Sequence, residues 1–389
     1  MKRLLLSILV TLLPVITSLG QQSIVGGQQL TSPEINTDNS VTFRVEARNA
    51  SEVKISGDWM PAEGWLPGSE SMQKGDKDIW TYKTEPLDPE LYSYTFIIDG
   101  FRTVDPNNVF IVRDVASLMN IFIIGGGKGD LYSVNEVSHG TVTRRWYNSP
   151  ALGLMRRITI YTPPGYENSE RKYPVLYLLH GAGGDEEAWV TLGRAAQIMD
   201  NLIAKGEAKP MIVVMPNGNV IQEAAPGEGR RGFYKPQFMV PNTMDGQYEA
   251  SFPDIINFVE SNYRVLPDKA NRAIAGLSMG GFHSLHISRY YPDTFDYVGL
   301  FSAAILPNQD VSHEVYHDID GTLKRQKENG YKLYWLGMGK TDFLYQSAVD
   351  YRAKLDSIGM EYVYRETGGG HIWKNWRIYL TEFVSLLFD

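Results

Sequence analysis

Gly276-Leu277-Ser278-Met279-Gly280, with Gly281 directly after it, separates two segments of opposite character. The run from Arg272 to Ala275 is short and apolar, as a buried strand requires. Phe282 to Tyr291 reads as a helix that stops before Pro292. A serine between two glycines at a strand-to-helix turn is a nucleophile elbow. The turn is so tight that the serine adopts a strained backbone angle, and a Cβ at Gly276 or Gly280 would collide with the neighbouring strand and helix. The helix start aims N–H groups and a partial positive charge at the place where an oxyanion would form.

Outward from this turn, buried-type strands alternate with helices. Strands are predicted over 174–179, 211–215, 272–277, 297–301, 332–336 and 361–365. Helices are predicted over 194–205, 248–263, 279–291, 316–329, 343–358 and 373–388. Two alternating segments, 141–147 and 157–161, precede them as an antiparallel start. This alternation means α/β architecture: a mostly parallel sheet with helices on both faces and ligands at the carboxyl ends of the strands.

A serine needs a base and an oriented imidazole to attack an ester at neutral pH. In an α/β-hydrolase the chain order is Ser, then acid, then His. Of the 7 histidines, only His313, His317 and His371 come late enough. His371 follows a predicted strand at the end of Glu366-Thr367-Gly368-Gly369-Gly370-His371, where glycines let a loop carry the ring back over the sheet edge. Asp342 lies just past a strand end in Gly337-Met338-Gly339-Lys340-Thr341-Asp342, and could equally cap the helix that follows. Asp310, Asp318 and Asp320 are rivals in poorer contexts. The oxyanion donors are the N–H of Met279, after the nucleophile, and the N–H of Ala182 in His180-Gly181-Ala182-Gly183-Gly184, with Gly183 next in line. His180 reads as a structural hydrogen bonder. His283 and His286, three apart on a helix, lack a third metal ligand, so no metal is expected.

Residues 41–110 show a different rhythm: short alternating strands with turns, among them 41–45, 53–57, 80–84 and 91–98, the last ending in the hairpin signal Asp99-Gly100. This predicts a small all-β sandwich of about seven strands. Ile55-Ser56-Gly57-Asp58-Trp59, Trp80, Tyr94 to Gly100 and Asp105-Pro106-Asn107 resemble the early-set, immunoglobulin-like modules grouped with carbohydrate-binding module family 48. The resemblance implies proximity to glycans, with Trp59, Trp65 and Trp80 as stacking candidates against an alternative role in core packing. Gly125-Gly126-Gly127-Lys128-Gly129 reads as a flexible joint. The expected organisation is a signal peptide over 1–20, the sandwich over 21–125, a linker over 126–139 and the hydrolase over 140–389.

His180-Gly181-Ala182-Gly183-Gly184-Asp185 with Trp189, Met215-Pro216-Asn217-Gly218, the elbow, and Gly370-His371 with Trp373 and Trp376 together resemble the esterase D group, which includes carbohydrate esterase family 1. The resemblance runs from about Gly140 to the C-terminus. It implies Ser278, Asp342 and His371 as the triad, Met279 and Ala182 as oxyanion donors, Gly181, Gly183, Trp189, Trp373 and Trp376 as substrate-binding residues, and no cofactor. Residues 221–247, rich in glycine and aromatics, match no family pattern and read as a lid or binding wall.

Lys2-Arg3 followed by the apolar run Leu4 to Leu19, broken by Pro14, reads as a bacterial secretory signal peptide cleaved near Gly20, not a spanning helix. The chain has no Cys, which removes disulfides and a lipobox. Losing the leader takes Lys2 and Arg3 and no acid, so the net charge moves from −8 to −10. A chain this acidic, with Arg156-Arg157 and Arg230-Arg231 only as isolated pairs, is a poor nucleic-acid binder. The function expected is a secreted or periplasmic serine esterase that removes feruloyl groups from acylated plant cell-wall polysaccharide such as arabinoxylan. The alternatives are an acetylxylan esterase, a siderophore (enterochelin-type) esterase and, in another class, a non-catalytic glycan-binding protein. The oligomeric state is left open.

Overall fold

The computed structural model describes residues 30–63, 66–308 and 310–388. The expected leader and Trp65 lie outside the described residues.

The C-terminal part is built on one eight-stranded sheet. Its spatial order is Thr141–Ser149, Leu154–Thr162, Ile212–Pro216, Val175–Leu179, Arg272–Leu277, Tyr297–Phe301, Leu333–Gly339 and Val363–Thr367. The first two pairings are antiparallel and the rest are parallel. The elbow strand Arg272–Leu277 and the next strand, Tyr297–Phe301, have the bounds that the sequence predicts. From Val175–Leu179 the chain steps out to Ile212–Pro216 and then returns to the other side at Arg272–Leu277. That reversal opens a crevice at the carboxyl ends of two neighbouring strands, where ligands bind in such sheets.

Alternation along each central strand splits the interior in two. Tyr177, Ile274, Val298 and Leu336 point to one core, which is closed by Phe252 and Val259 of helix Gln247–Asn262 and by Leu355 of helix Tyr345–Ile358. Leu176, Ala275, Leu277 and Phe301 point to the other, closed by Ile198 and Leu202 of helix Ala195–Lys205 and by Trp376, Tyr379 and Phe383 of helix Trp373–Val384. At about 0.8 kcal/mol per buried CH₂, these two faces dominate the stability of a chain without disulfides.

Residues 30–124 form an all-β region. Val41–Glu46 and Ile79–Lys83 belong to one antiparallel sheet. Val53–Gly57, Leu91–Ile98, Ile111–Asp114 and Ser117–Ile123 belong to a second. Phe43, Ile55, Tyr94, Phe96 and Phe122 share the core between them. Short strands at Glu34–Ile35, Ser69–Ser71 and Gln73–Lys74 exceed the predicted set. Asp99 (φ 45) and Gly100 (φ 84) form the expected hairpin turn, pairing Ile98 with Phe101. Trp59 stacks on Phe43 at 5.4 Å, and Trp80 is buried with its indole N–H on the Ala47 carbonyl, so both serve the core.

The glycine run is not a free joint. Gly126 N–H donates to Asp130 Oδ1 at 2.7 Å. A Cβ on Gly129 would overlap the Ile124 carbonyl, and the turn leads into the short helix Gly129–Tyr132, whose Tyr132 is buried in the second core. Leu91, Ile121 and Ile123 of the all-β region pack on that same core. Arg377, buried, donates to the Leu91 carbonyl at 2.9 Å and pairs with Glu90 at 3.2 Å. The two parts of the chain therefore share apolar surface and a buried ion pair.

Candidate active site

Ser278 has φ 53 and ψ −113, outside the regions a serine ordinarily occupies, and caps helix Met279–Tyr290. The glycines around it are steric requirements. A Cβ on Gly276 would overlap the Gly280 backbone, one on Gly280 would overlap the Leu179 carbonyl, and one on Gly281 would lie 2.5 Å from Ala303 Cβ. The Ser278 N–H donates to the Phe301 carbonyl at 2.9 Å, and the Ser278 carbonyl accepts from Phe282 and Ala304. Met279 is the first helical residue, so its N–H has no intrahelical partner and lies at the positive end of the helix.

The loop after Val175–Leu179 is held from below by the loop after Ile212–Pro216. His180 is buried. Its Nδ1–H donates to the Gly181 carbonyl at 2.8 Å and its Nε2 accepts from Gly218 N–H at 2.8 Å. Burial lowers its pKa to about 4, which keeps the ring neutral as this pattern requires. Asn219 Nδ2 donates to the Gly184 carbonyl, Asn217 Nδ2 to Glu186, and Arg157 pairs with Glu186 at 2.6 Å. Burial raises the Glu186 carboxyl, with Asp185 adding to the effect, while the Ala225 N–H and Arg157 oppose it. Thus Met215-Pro216-Asn217-Gly218, quoted above only as a pattern, is the scaffold of the His180–Asp185 loop. The Gly184 N–H closes a turn onto the Gly181 carbonyl, and Ala182 sits at the turn's first corner, where an N–H takes no part in the turn bond. A Cβ on Gly181 would overlap Leu277 and lie 3.3 Å from Ser278 Cβ, so Gly181 presses directly on the serine.

His371 and Asp342 meet at the ends of the neighbouring strands Leu333–Gly339 and Val363–Thr367. His371 Nδ1 lies 2.9 Å from Asp342 Oδ2 and 3.1 Å from Oδ1. Asp342 is buried, and its Oδ1 also accepts from Leu344 N–H in the turn before helix Tyr345–Ile358; the N-cap of that helix is Leu344, so the alternative capping role falls away. Asn375 Nδ2 donates to the Gly368 and Gly370 carbonyls and fixes the glycine loop. Two of the rival acids are engaged elsewhere. Asp318 caps helix Ile319–Glu328 and Asp320 pairs with Lys354. His313 accepts from Val315 N–H in its own turn.

His283 and His286 are packing residues. His283 lies 2.8 Å from Glu249 in the interior, and His286, held neutral by burial, donates from Nε2 to the Ile305 carbonyl. Among the described residues no group of three or more His, Cys, Asp or Glu could hold a metal ion.

Three expectations about substrate contact need correction. Trp189 is 1% exposed and its indole N–H donates to the Leu179 carbonyl at 2.9 Å, so it belongs to the core beneath the loop. Trp376 is buried and stands edge-on to His371 at 4.9 Å, bracing the ring from behind. Gly183 (φ 74) does not face an open cleft, because Val115 of the all-β region covers it. Trp373, half-buried, stands between Trp189 and Trp376. Sequence reasoning missed Phe343, an exposed ring 4.6 Å from His371, and the hairpin tip Arg113–Ala116. Residues 221–241 enclose a cavity of about 240 Å³ whose walls include Glu223, Arg231 and Tyr234.

A strained serine at a helix N-terminus, a histidine oriented by a buried carboxylate and two free N–H groups are the parts of an acyl-transfer site. With the sheet order, they define a serine esterase of α/β-hydrolase architecture. The chain belongs to the Esterase family, whose model matches residues 149–386. It is 32% identical over 285 residues to an endo-1,4-β-xylanase/feruloyl esterase of Xylanibacter ruminicola, covering 72% of this chain and 37% of that one. The chain spans about two fifths of the length of the curated relatives it matches first. A ferulic acid esterase from Anaeromyces mucronatus superposes with a TM-score of 0.55 at 26% identity, covering 67% of this chain and 95% of that one. The enterobactin esterase of Shigella flexneri superposes with a TM-score of 0.61 at 16% identity, covering 89% of this chain and 92% of that one, a likeness of fold.

Proposed function

We propose that this chain is a secreted hydrolase that removes feruloyl groups from plant cell-wall polysaccharide through an acyl-enzyme on Ser278. The observation that carries the chemistry is the Asp342–His371 pair at the strand ends of the sheet that presents Ser278 at φ 53. His371 takes the Ser278 proton as the oxygen attacks the ester carbonyl. The Met279 and Ala182 N–H groups hold the oxyanion, each worth on the order of 3 kcal/mol. The sugar alcohol leaves with the proton from His371, and water activated by the same ring releases the acid. Similarity to a named feruloyl esterase supports the acyl group. The export signal read at residues 1–20 and an early-set, immunoglobulin-like reading of the all-β region support a location near glycans.

The test is product analysis on destarched wheat bran with wild type and Ser278→Ala. Free ferulate from wild type and none from the variant is expected. Ferulate release by Ser278→Ala overturns the mechanism, and acetate without ferulate overturns the substrate. A siderophore ester is the second reading, favoured by the enterobactin esterase fold that covers both parts of this chain. Faster turnover of ferric enterobactin than of feruloylated arabinoxylan oligosaccharide would select it.

A further inference from the structure

The strands Ile111–Asp114 and Ser117–Ile123 pair Asp114 with Ser117, leaving a two-residue connection, Val115-Ala116. Two-residue hairpin turns put Gly, Asn or Asp where the backbone turns left-handed. Here that residue is Val115, at φ 50, a conformation a β-branched side chain rarely takes. Such an outlier persists only where surrounding contacts hold it.

The contacts that hold it all lead to the esterase site. The Val115 methyls occupy the space a Cβ on Gly183 would need, 2.6 and 2.8 Å away, so the valine lies against the turn that carries Ala182. Arg113 donates to the Val115 carbonyl at 2.8 Å and pairs with buried Asp185, at the end of the same loop, at 2.5 Å. One hairpin tip therefore holds the loop with the expected oxyanion donor at two points, Gly183 and Asp185.

We infer that Arg113 and Val115 are positioning residues of the esterase site, clamping the Gly181–Asp185 loop against Ser278 from the other part of the chain. This rests on Ser278 as nucleophile and Ala182 as oxyanion donor. A clamp acts on the transition state whatever the substrate. Its loss lowers kcat and leaves KM nearly unchanged, even for an ester too small to reach the hairpin.

The experiment compares full-length wild type, Val115→Gly, Arg113→Gln, Arg113→Lys and Ser278→Ala on p-nitrophenyl acetate and methyl ferulate, well below each protein's Tm. For Val115→Gly and Arg113→Gln, kcat should fall roughly 10- to 100-fold on both esters with KM within about threefold. Arg113→Lys should recover part of the loss. A rise in KM confined to methyl ferulate makes the tip a substrate wall and overturns the clamp. A lower Tm with unchanged kcat makes it interdomain packing and also overturns it. If Val115→Gly does not fold, Arg113→Gln carries the same test. Retained turnover in Ser278→Ala would overturn the nucleophile itself, an outcome separable from all the others.

Discussion

Two tight turns hold a non-glycine residue in the left-handed region close to the same chemistry: Ser278 at φ 53 and Val115 at φ 50. They are built on opposite principles. Around Ser278 the space is cleared locally, by Gly276, Gly280 and Gly281 within three residues of the serine. Around Val115 it is cleared at a distance, by Gly183 in another part of the fold, and Arg113 and Asp185 hold the two together. A turn supported from within is written into one short stretch of sequence. A turn supported from across an interface is not.

The side built around Ser278 breaks hardest at its carboxylate. In Asp342→Asn, Oδ1 can still accept from Leu344 N–H, so the turn before helix Tyr345–Ile358 survives. The amide, however, presents a donor to His371 Nδ1 and holds the ring in the wrong tautomer. Steady-state kinetics should show kcat reduced about 10⁴-fold with little change in Tm. A loss below tenfold would make Asp342 a turn residue and no more.

The comparison sharpens in a double-mutant cycle across the interface. Gly183→Ala alone meets the Val115 methyls at 2.6 and 2.8 Å, an overpacking cost of about 1–3 kcal/mol that adds to the backbone cost of alanine at φ 74. In the Val115→Gly background the clash is gone and only the backbone cost at φ 74 remains, about 1–2 kcal/mol. Denaturant unfolding should report a coupling of about 1–3 kcal/mol between the two sites, the overpacking part alone. Additivity within error would mean that Val115 and Gly183 do not support one another.

The same division explains what could be read before the fold was known. The strand bounds 272–277 and 297–301, the Asp99-Gly100 hairpin and the residues His371 and Asp342 follow from periodicity, turn chemistry and chain order, all of them local. Three things were not local. Gly125 to Gly129 has the composition of a flexible joint, yet Gly129 is needed because the Ile124 carbonyl crosses it. Val115-Ala116 carries no turn signature, since the force on Val115 comes from the hydrolase part. Trp189 shares a motif with oxyanion-loop residues but is turned inward by a hydrogen bond to the strand below. Proximity in sequence to a site does not say which way an indole points.

Trp189 also gives the smallest of the expected effects and a direct check on that correction. Its indole N–H satisfies the Leu179 carbonyl, and its ring packs edge-on against Phe301 and Trp373 at 6.3 and 5.4 Å. Trp189→Phe keeps an aromatic ring there but leaves the carbonyl without its donor. Stability should fall by about 1–2 kcal/mol, read as a Tm shift of a few degrees. The indole lies beneath the loop, so KM for methyl ferulate should hold while kcat drops only slightly as the His180–Asp185 loop loosens. A severalfold rise in KM with unchanged Tm would put Trp189 back in contact with substrate. The second core would then have to open at this point, against a side chain that is 1% exposed.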